Sequence, residues 1–223
     1  MKALVVFSGG MDSATAIVWA LNNGFKESET VSFNYGSKHN DREYEHAVKF
    51  CEKYGIKNTR IDLAFINQYF KSDLLKSGGD IPEGHYADPS MQKTVVPFRN
   101  GIMLSIAIGL AESKDMTHVI IGNHSGDHAI YPDCRSEFIE GMVNAAKEGT
   151  YKRIQIFSPF CNVDKTAIVR LGDRMGVPYE LTYSCYKGGE KHCGKCGTCF
   201  ERKESFVLAG VKDPTDYSDL TNP

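Results

Sequence analysis

A doubly wound parallel α/β sheet, followed by a small carboxyl-terminal segment of different character, is the fold class that the sequence predicts. Three observations predict it. Short apolar, β-branched runs alternate with helical spacing through most of the 223 residues. The first such run, residues 3–7, passes directly into Ser8-Gly9-Gly10-Met11-Asp12-Ser13 and then into helical spacing, a strand–turn–helix order whose bare N–H groups suit an anion. The alternation stops after Pro178, and four of the seven cysteines crowd into residues 185–199. We therefore expect an α/β domain over residues 1–180 and a cysteine-bearing segment over 181–223 packed on it.

The elements follow in order. Residues 3–7 read as a buried strand, 14–23 as a helix and 30–34 as a second strand. Residues 40–54 have helical spacing with Tyr44, Ala47, Val48 and Cys51 on one face, which makes Cys51 a packing residue. Strand character returns over 58–65, and residues 67–94 then lose all periodicity, interrupted by Gly78, Gly79, Pro82, Gly84 and Pro89. Such an insert is either a functional lid or a disordered surface loop. Val95-Val96-Pro97-Phe98-Arg99-Asn100 leads into a helix over 101–113 and a strand over 117–122. Gly126-Asp127-His128 and Tyr131-Pro132-Asp133-Cys134-Arg135 form a polar, turn-rich segment. It is expected to face the same cleft as the first loop, because ligands gather at the carboxyl ends of parallel strands. A helix over 137–147, a strand over 153–157 and a helix over 165–175 follow, the last capped by Asp164 and stopped by Gly176 and Pro178. The tail after Asp213 is polar and expected to fray.

Composition narrows the function classes. Net charge is −2, with 26 basic residues scattered among 28 acidic ones, so binding to nucleic acid gains little electrostatic support. No apolar run approaches the roughly 20 residues that cross a bilayer, and Met1-Lys2-Ala3 leads straight into a strand, so a cytoplasmic location is expected. An odd number of cysteines, clustered late, favours metal ligation in a reducing compartment over a disulfide framework.

In the first loop, Gly9 and Gly10 permit close ligand approach, and Ser8, Asp12 and Ser13 set hydroxyls and a carboxylate at the helix mouth, suited to phosphate oxygens or a metal ion. The loop is neither a Walker A sequence nor a Gly-x-Gly-x-x-Gly turn. Cys185, Cys193, Cys196 and Cys199 can close around one tetrahedral ion, with zinc the leading candidate. A ferredoxin-type run would place its next cysteine at Lys203. Arg99 and Arg135 suit bidentate contact with a carboxylate or phosphate, Asp133 can accept from a guanine-like edge, and Tyr131 and Phe98 can stack on an aromatic base; ordinary surface ion pairs are the alternative for the charged three. Lys165, in a first helical turn, either reaches the loop before it as a second hold on an anion there or stands in solvent. His124, Asp127 and His128 are kept as cleft residues rather than metal ligands, and Cys134 as packing or substrate contact.

The loop over residues 8–13 resembles the Ser-Gly-Gly-x-Asp-Ser loop of the N-type ATP pyrophosphatases, which holds the β- and γ-phosphates of ATP as a leaving group. More widely, residues 4–209 resemble the 7-cyano-7-deazaguanine synthase (ExsB) family. The likeness rests on Phe7 through Ser13, Phe33-Asn34-Tyr35-Gly36, Val96-Pro97-Phe98-Arg99-Asn100, Tyr131-Pro132-Asp133-Cys134-Arg135 and Ser184-Cys185 with Cys193-Gly194-Lys195-Cys196-Gly197-Thr198-Cys199. It implies a Rossmann-like, adenine nucleotide alpha hydrolase-like fold, ATP and Mg2+ at residues 8–13 with Asp12 and Ser13 central to turnover, and Zn2+ on the four cysteines. It further implies a 7-carboxy-7-deazaguanine substrate that reacts with ammonia to give the nitrile through an acyl adenylate and an amide, in the making of a queuosine precursor. Many members carry Gln and Arg at Ser37 and Lys38, Gly at Phe98, and Ser-Gly at Ala129-Ile130, and these departures bear on the implied substrate pocket, not on the ATP loop. Two rivals stay open: a tRNA-thiolating pyrophosphatase, which needs reactive cysteines near the cleft, and a zinc-ribbon module for nucleic acid, which leaves the first loop unexplained. Neither tRNA nor a membrane is an expected partner, and the oligomeric state is open, a homodimer included.

Overall fold

The computed structural model describes residues 1–220, apart from the side chains of Asp127 and His128. Strands β1 (Lys2–Val6), β2 (Glu27–Asn34), β3 (Asn58–Asp62), β4 (His118–Ile120) and β5 (Gln155–Phe157) form one parallel sheet in the order β3-β2-β1-β4-β5. Leu4 lies opposite Glu29 and Val119, and Val5 opposite Thr30 and Ile120. Strand order reverses direction on either side of β1, which opens a crevice at the carboxyl ends of β1 and β4.

Helices α1 (Met11–Asn22), α2 (Asn40–Tyr54), α3 (Phe65–Tyr69), α4 (Arg99–Ser113), α5 (Ser136–Gly149), α6 (Lys165–Arg174) and α7 (Gly197–Ala209) cover the sheet. Successive strand residues point to opposite faces, so a strand covered on both sides is apolar throughout. Val5 and Phe7 pack with Ile17 of α1, Phe50 of α2, Ile168 of α6 and Phe206 of α7. Leu4 and Val119 join the cluster that holds Leu104 of α4 and Ile139 of α5 on the other face. Asp164 caps α6 as the sequence predicts, its Oδ1 accepting the Ala167 N–H at 2.7 Å.

Several boundaries differ from the sequence expectation for local reasons. Helix α1 starts at Met11 rather than residue 14, with extended Gly10 as its cap and Asp12 in its first turn. Strand β3 stops at Asp62, whose Oδ1 accepts the Ala64 N–H at 2.7 Å and turns the chain into α3. On α2 the buried positions are Asn40, Ala47, Phe50 and Cys51, while Tyr44 is only half-buried beneath the Arg60 guanidinium. The irregular insert is neither periodic nor disordered: Leu74, Leu75, Ile81, Tyr86 and Met91 are buried. Lys38 ties it down, its Nζ donating to the carbonyl oxygens of Asp73 at 2.6 Å and Gly79 at 2.5 Å.

The carboxyl-terminal segment holds an element that the sequence reading lacked. Helix α7 begins within the cysteine cluster and packs on α6. It carries Arg202, fully buried, whose guanidinium donates to Thr182 Oγ1 at 2.8 Å, to the Tyr179 carbonyl at 3.1 Å and, through Nε, to Asp213 Oδ1 at 3.3 Å. The expected fraying after Asp213 is not seen over the described tail. Tyr217 is buried and donates to Asp213 Oδ2 at 2.6 Å, and the Ser218 N–H reaches the His192 carbonyl at 2.8 Å. The end of that tail, residues 221–223, lies outside the described residues.

Candidate active site

The crevice holds a cavity of about 200 Å³ whose wall runs from the loop after β1 to the start of α4. At one end the chain leaves β1 and turns sharply at Gly9, with φ of +94°. A Cβ there would also drive into the Glu43 carbonyl oxygen, so only glycine fits this approach of the loop to α2. The Gly10 N–H donates to Ser8 Oγ at 3.1 Å, Ser8 Oγ and Ser13 Oγ lie 3.2 Å apart, and Ser13 Oγ donates to the Gly10 carbonyl at 3.1 Å. No side chain caps α1, so its first N–H groups face the cavity with the positive end of the helix dipole behind them. Behind the loop, Gly122 after β4 packs so closely that a Cβ would stand 2.9 Å from the Asp12 carbonyl oxygen.

Charge is arranged around that mouth. Lys165, the first residue of α6, puts Nζ 3.3 Å from Asp12 Oδ2 and in closer contact with Glu201 Oε2 from α7. His124 Nε2 lies 3.7 Å from the same Asp12 oxygen. Asp12 Oδ1 is buried and has no hydrogen-bond partner within the chain. A buried, unpartnered carboxylate oxygen beside a phosphate cradle is the donor that a hard cation such as Mg2+ takes.

The other end is aromatic. Arg99 lies 5.4 Å from the Tyr35 ring centre and donates to Tyr35 Oη at 3.1 Å. The Tyr131 hydroxyl lies 2.9 Å from Thr94 Oγ1 and 3.4 Å from the Tyr186 hydroxyl. His39 and Glu43, one turn apart at the start of α2, meet at 3.5 Å. Burial, reinforced by the Arg99 charge, holds His39 down to about 3 and so keeps it neutral. Burial pushes the Glu43 carboxyl up to about 8 although Arg99 opposes it, and burial likewise raises the Tyr35 hydroxyl. The acidic groups around Arg99, Tyr35 first and then Tyr186, Asp133 and Tyr131, outweigh its own burial and raise it well above its ordinary value.

A stability prediction follows from Glu43. The unfolded carboxyl titrates near 4.5 and the folded one near 8, so the folded state binds more protons between those values. Stability from this group is therefore complete below pH 4.5 and lost as pH rises through 8. His39, folded near 3 and unfolded near 6.5, acts with the opposite sign, adding stability as pH rises through that window. Comparison with Glu43→Gln isolates the first effect: relative to the variant, wild-type urea midpoints should fall between pH 4.5 and 8, by up to about 1.4 kcal/mol per pH unit. Parallel curves would refute it.

The structure brings Ser8, Gly10, Met11, Asp12, Ser13, Lys165, Arg99 and Tyr131 to this cavity, with Cys134 and His124 also in its wall. Three expected substrate contacts stand elsewhere. The 3-10 turn Pro132–Cys134 buries Asp133 and leaves Arg135 exposed beyond it, at the cap of α5. Asp133 serves the wall from behind: its Oδ2 accepts the Asn100 N–H at 2.7 Å, satisfying a free donor at the start of α4. Phe98, in a left-handed conformation with φ of 54°, is 57% exposed and rests edge-on against Phe138. Asp127 and His128 are named above as cleft residues, and their side chains lie outside the described ones. The sequence reading missed Glu43, whose signal was a carboxylate four residues before Ala47 on the buried side of α2. It also missed Ser184, Tyr186 and Thr198 in the wall and Glu201 behind Lys165, which no spacing rule could attach to a loop so far away in the chain.

The four late cysteines converge, with ligand atoms all within 4.8 Å of one another. Cys193 Sγ and Cys199 Sγ are 3.9 Å apart, close to the roughly 3.8 Å edge of a tetrahedron with 2.3 Å metal–sulfur bonds. The Lys195 and Cys196 N–H groups point at Cys193 Sγ, at 3.4 and 3.3 Å, as backbone donors do toward thiolate ligands. Hydrogen bonding within the cluster, first with Cys185, pulls the Cys193 thiol far below its ordinary value and pushes Cys199 far above it. The cluster can hold one metal ion.

Fold and loop together define the class: a doubly wound parallel α/β protein with a Ser-Gly-Gly-Met-Asp-Ser turn at its switch point. A solved structure, the U34-tRNA thiolase NcsA from Methanococcus maripaludis with its [4Fe-4S] cluster, shares this fold at a TM-score of 0.51 and 20% identity, over 84% of this chain and 62% of its own. The family model for the queuosine biosynthesis protein QueC matches residues 2–210, and the chain belongs to that family. It is 52% identical over 215 residues to a 7-cyano-7-deazaguanine synthase of Porphyromonas gingivalis, covering 96% of each chain. It is 48% identical to one of Desulfotalea psychrophila, covering 97% of this chain and 99% of the relative.

Proposed function

We propose that this chain is an ATP-dependent carbon–nitrogen ligase that converts 7-carboxy-7-deazaguanine and ammonia to 7-cyano-7-deazaguanine. The observation that carries the reading is the continuity of one cavity from the residue 8–13 cradle to an Arg99-bearing aromatic wall, in a chain of the QueC family. The substrate carboxylate lies toward Arg99, with Tyr131 beside the base, and attacks the α-phosphorus of ATP. Backbone N–H groups at the start of α1, the Ser8 and Ser13 hydroxyls and the Lys165 ammonium hold the departing pyrophosphate. Mg2+, held by Asp12, supplies neutralisation of phosphate charge. Ammonia displaces AMP from the acyl adenylate to give the amide, and a second adenylation, at the amide oxygen, lets AMP leave again with formation of the nitrile. No protein nucleophile is needed, so Cys134 takes no covalent part.

We read residues 1–180 as the catalytic body and 181–223 as a zinc-binding segment packed on it, with Zn2+ on Cys185, Cys193, Cys196 and Cys199. The short sulfur separations favour a single ion over a four-iron cube, which needs its thiolates further apart. No described helix is long and apolar enough to cross a membrane, and the small-molecule reaction fits a cytoplasmic enzyme that needs no tRNA. Mass spectrometry tests the function. The nitrile should form only with all three reactants present, with AMP and pyrophosphate as co-products and no dependence on tRNA. Stoichiometric ADP, or amide that is never converted further, would contradict the reading.

A further inference from the structure

Among the described residues of the cavity wall, the side-chain carboxylates are those of Asp12 and Glu43. Asp12 stands at the phosphate end within reach of Lys165. Glu43 stands at the other end, 15% exposed, and its contact within the wall is a histidine that burial keeps neutral. We propose that Glu43 is the proton acceptor of the amination step, drawing an ammonium ion into the cavity, taking its proton and releasing ammonia beside the acyl carbon. This rests on the function proposed above.

Ammonium cannot attack a carbonyl, because its lone pair is held by the proton. In the step assigned here the N–H pair returns to nitrogen as the proton passes to a Glu43 carboxylate oxygen. The freed pair forms the C–N bond, and the bond from the acyl carbon to the phosphate oxygen breaks with its electrons leaving on AMP. The second proton, shed as the tetrahedral species collapses, goes to solvent. A carboxylate serves twice, attracting the cation and accepting its proton, and a buried one does so better because its proton affinity lies nearer that of ammonia. The elevation of the Glu43 carboxyl to about 8 agrees with this.

The setting is built for it. The groups that face Glu43 are His39 from its own helix, Tyr35 from the end of β2 and Arg99 from α4, whose charge pulls the carboxyl down without overcoming burial. Tyr35 and Tyr186 pack on His39 from two sides and hold it against Glu43. The helix carrying Glu43 is fixed at its start, since Asn40 Oδ1 accepts the N–H groups of Tyr35 at 3.0 Å and Ser37 at 2.9 Å. The Glu43 backbone is also packed on Gly9, which fixes α2 against the residue 8–13 loop.

The full-length protein and its Glu43→Gln and Glu43→Asp variants decide the matter through three readouts: pyrophosphate exchange into ATP driven by 7-carboxy-7-deazaguanine, amide and nitrile formation from ammonium, and hydroxamate formation from hydroxylamine, which is already unprotonated at neutral pH. Glu43→Gln should exchange pyrophosphate and trap hydroxylamine as wild type does, while product from ammonium falls by roughly 10²-fold. The deficit should shrink as pH rises and free ammonia accumulates, and Glu43→Asp should lie between. Equal loss of exchange, equal loss of hydroxamate, or undiminished use of ammonium by Glu43→Gln would each overturn the proposal. Wild-type protein that exchanges no pyrophosphate overturns the function itself, and the proposal with it.

Discussion

Replacing Lys165 with alanine is expected to lower 7-carboxy-7-deazaguanine-driven pyrophosphate exchange by about 10²–10³-fold, the usual cost of removing one preorganised donor from a developing anion. Lys165 is the cation that the cavity wall offers at the cradle, with its side chain only 10% exposed, so its charge is weakly screened. In the structure that charge is shared between Asp12 and Glu201. The pairing sets its position at the mouth of α1. Charge builds on the pyrophosphate as its bond to the α-phosphorus breaks, so kcat should fall more than KM for ATP rises. Glu201→Gln keeps the hydrogen bond and removes the charge that holds Lys165 on station, and should give a smaller loss of the same kind. A Lys165→Ala variant affected only in KM would show that the lysine grips ATP uniformly and has no special hold on the leaving group.

The part of the fold and site that was legible in the sequence is the part encoded by neighbours. Five alternations of strand and helix could be read because a doubly covered strand must be apolar and a helix on a sheet must repeat near 3.6 residues. The cradle could be read because one tight turn needs Gly9 and one helix mouth needs Asp12 and Ser13 beside it. Helix α7 was hidden because Glu201 and Arg202, satisfied by distant groups, and Ser205, which donates to the Glu201 carbonyl one turn back, are buried polar residues that break the apolar pattern. Asp133 and Arg135 illustrate the same limit in reverse. Both have the chemistry of a substrate contact, but a single 3-10 turn sends one to cap α4 and the other to the surface. Residue type fixes what a side chain can bind, whereas the direction it faces is decided by backbone geometry that no local spacing records.

That hidden helix changes what the metal site is expected to do. A closed four-cysteine site in a segment packed on the α/β domain is structural by type, and losing one ligand of such a site costs stability before chemistry. In the structure, Ser184 and Thr198, each adjacent to a cysteine of the cluster, line the cavity, and Glu201 lies two residues beyond Cys199 on α7. Its carboxylate holds Lys165. A path of covalent neighbours and ion pairs therefore runs from the cluster through Lys165 to Asp12 in the loop after β1. Purified protein should carry one zinc per chain, and Cys199→Ser or chelation should lower stability by several kcal/mol, since the binding energy of a structural ion is folding energy for the small segment around it. Pyrophosphate exchange should be lost at the same chelator concentration that releases the metal. Far-UV circular dichroism should meanwhile retain most of its α/β signal, because the sheet and the core residues on β1 belong to clusters built largely from other elements. Metal-free protein with undiminished exchange would uncouple the two sites, and iron with labile sulfide in place of zinc would overturn the assignment of the ion.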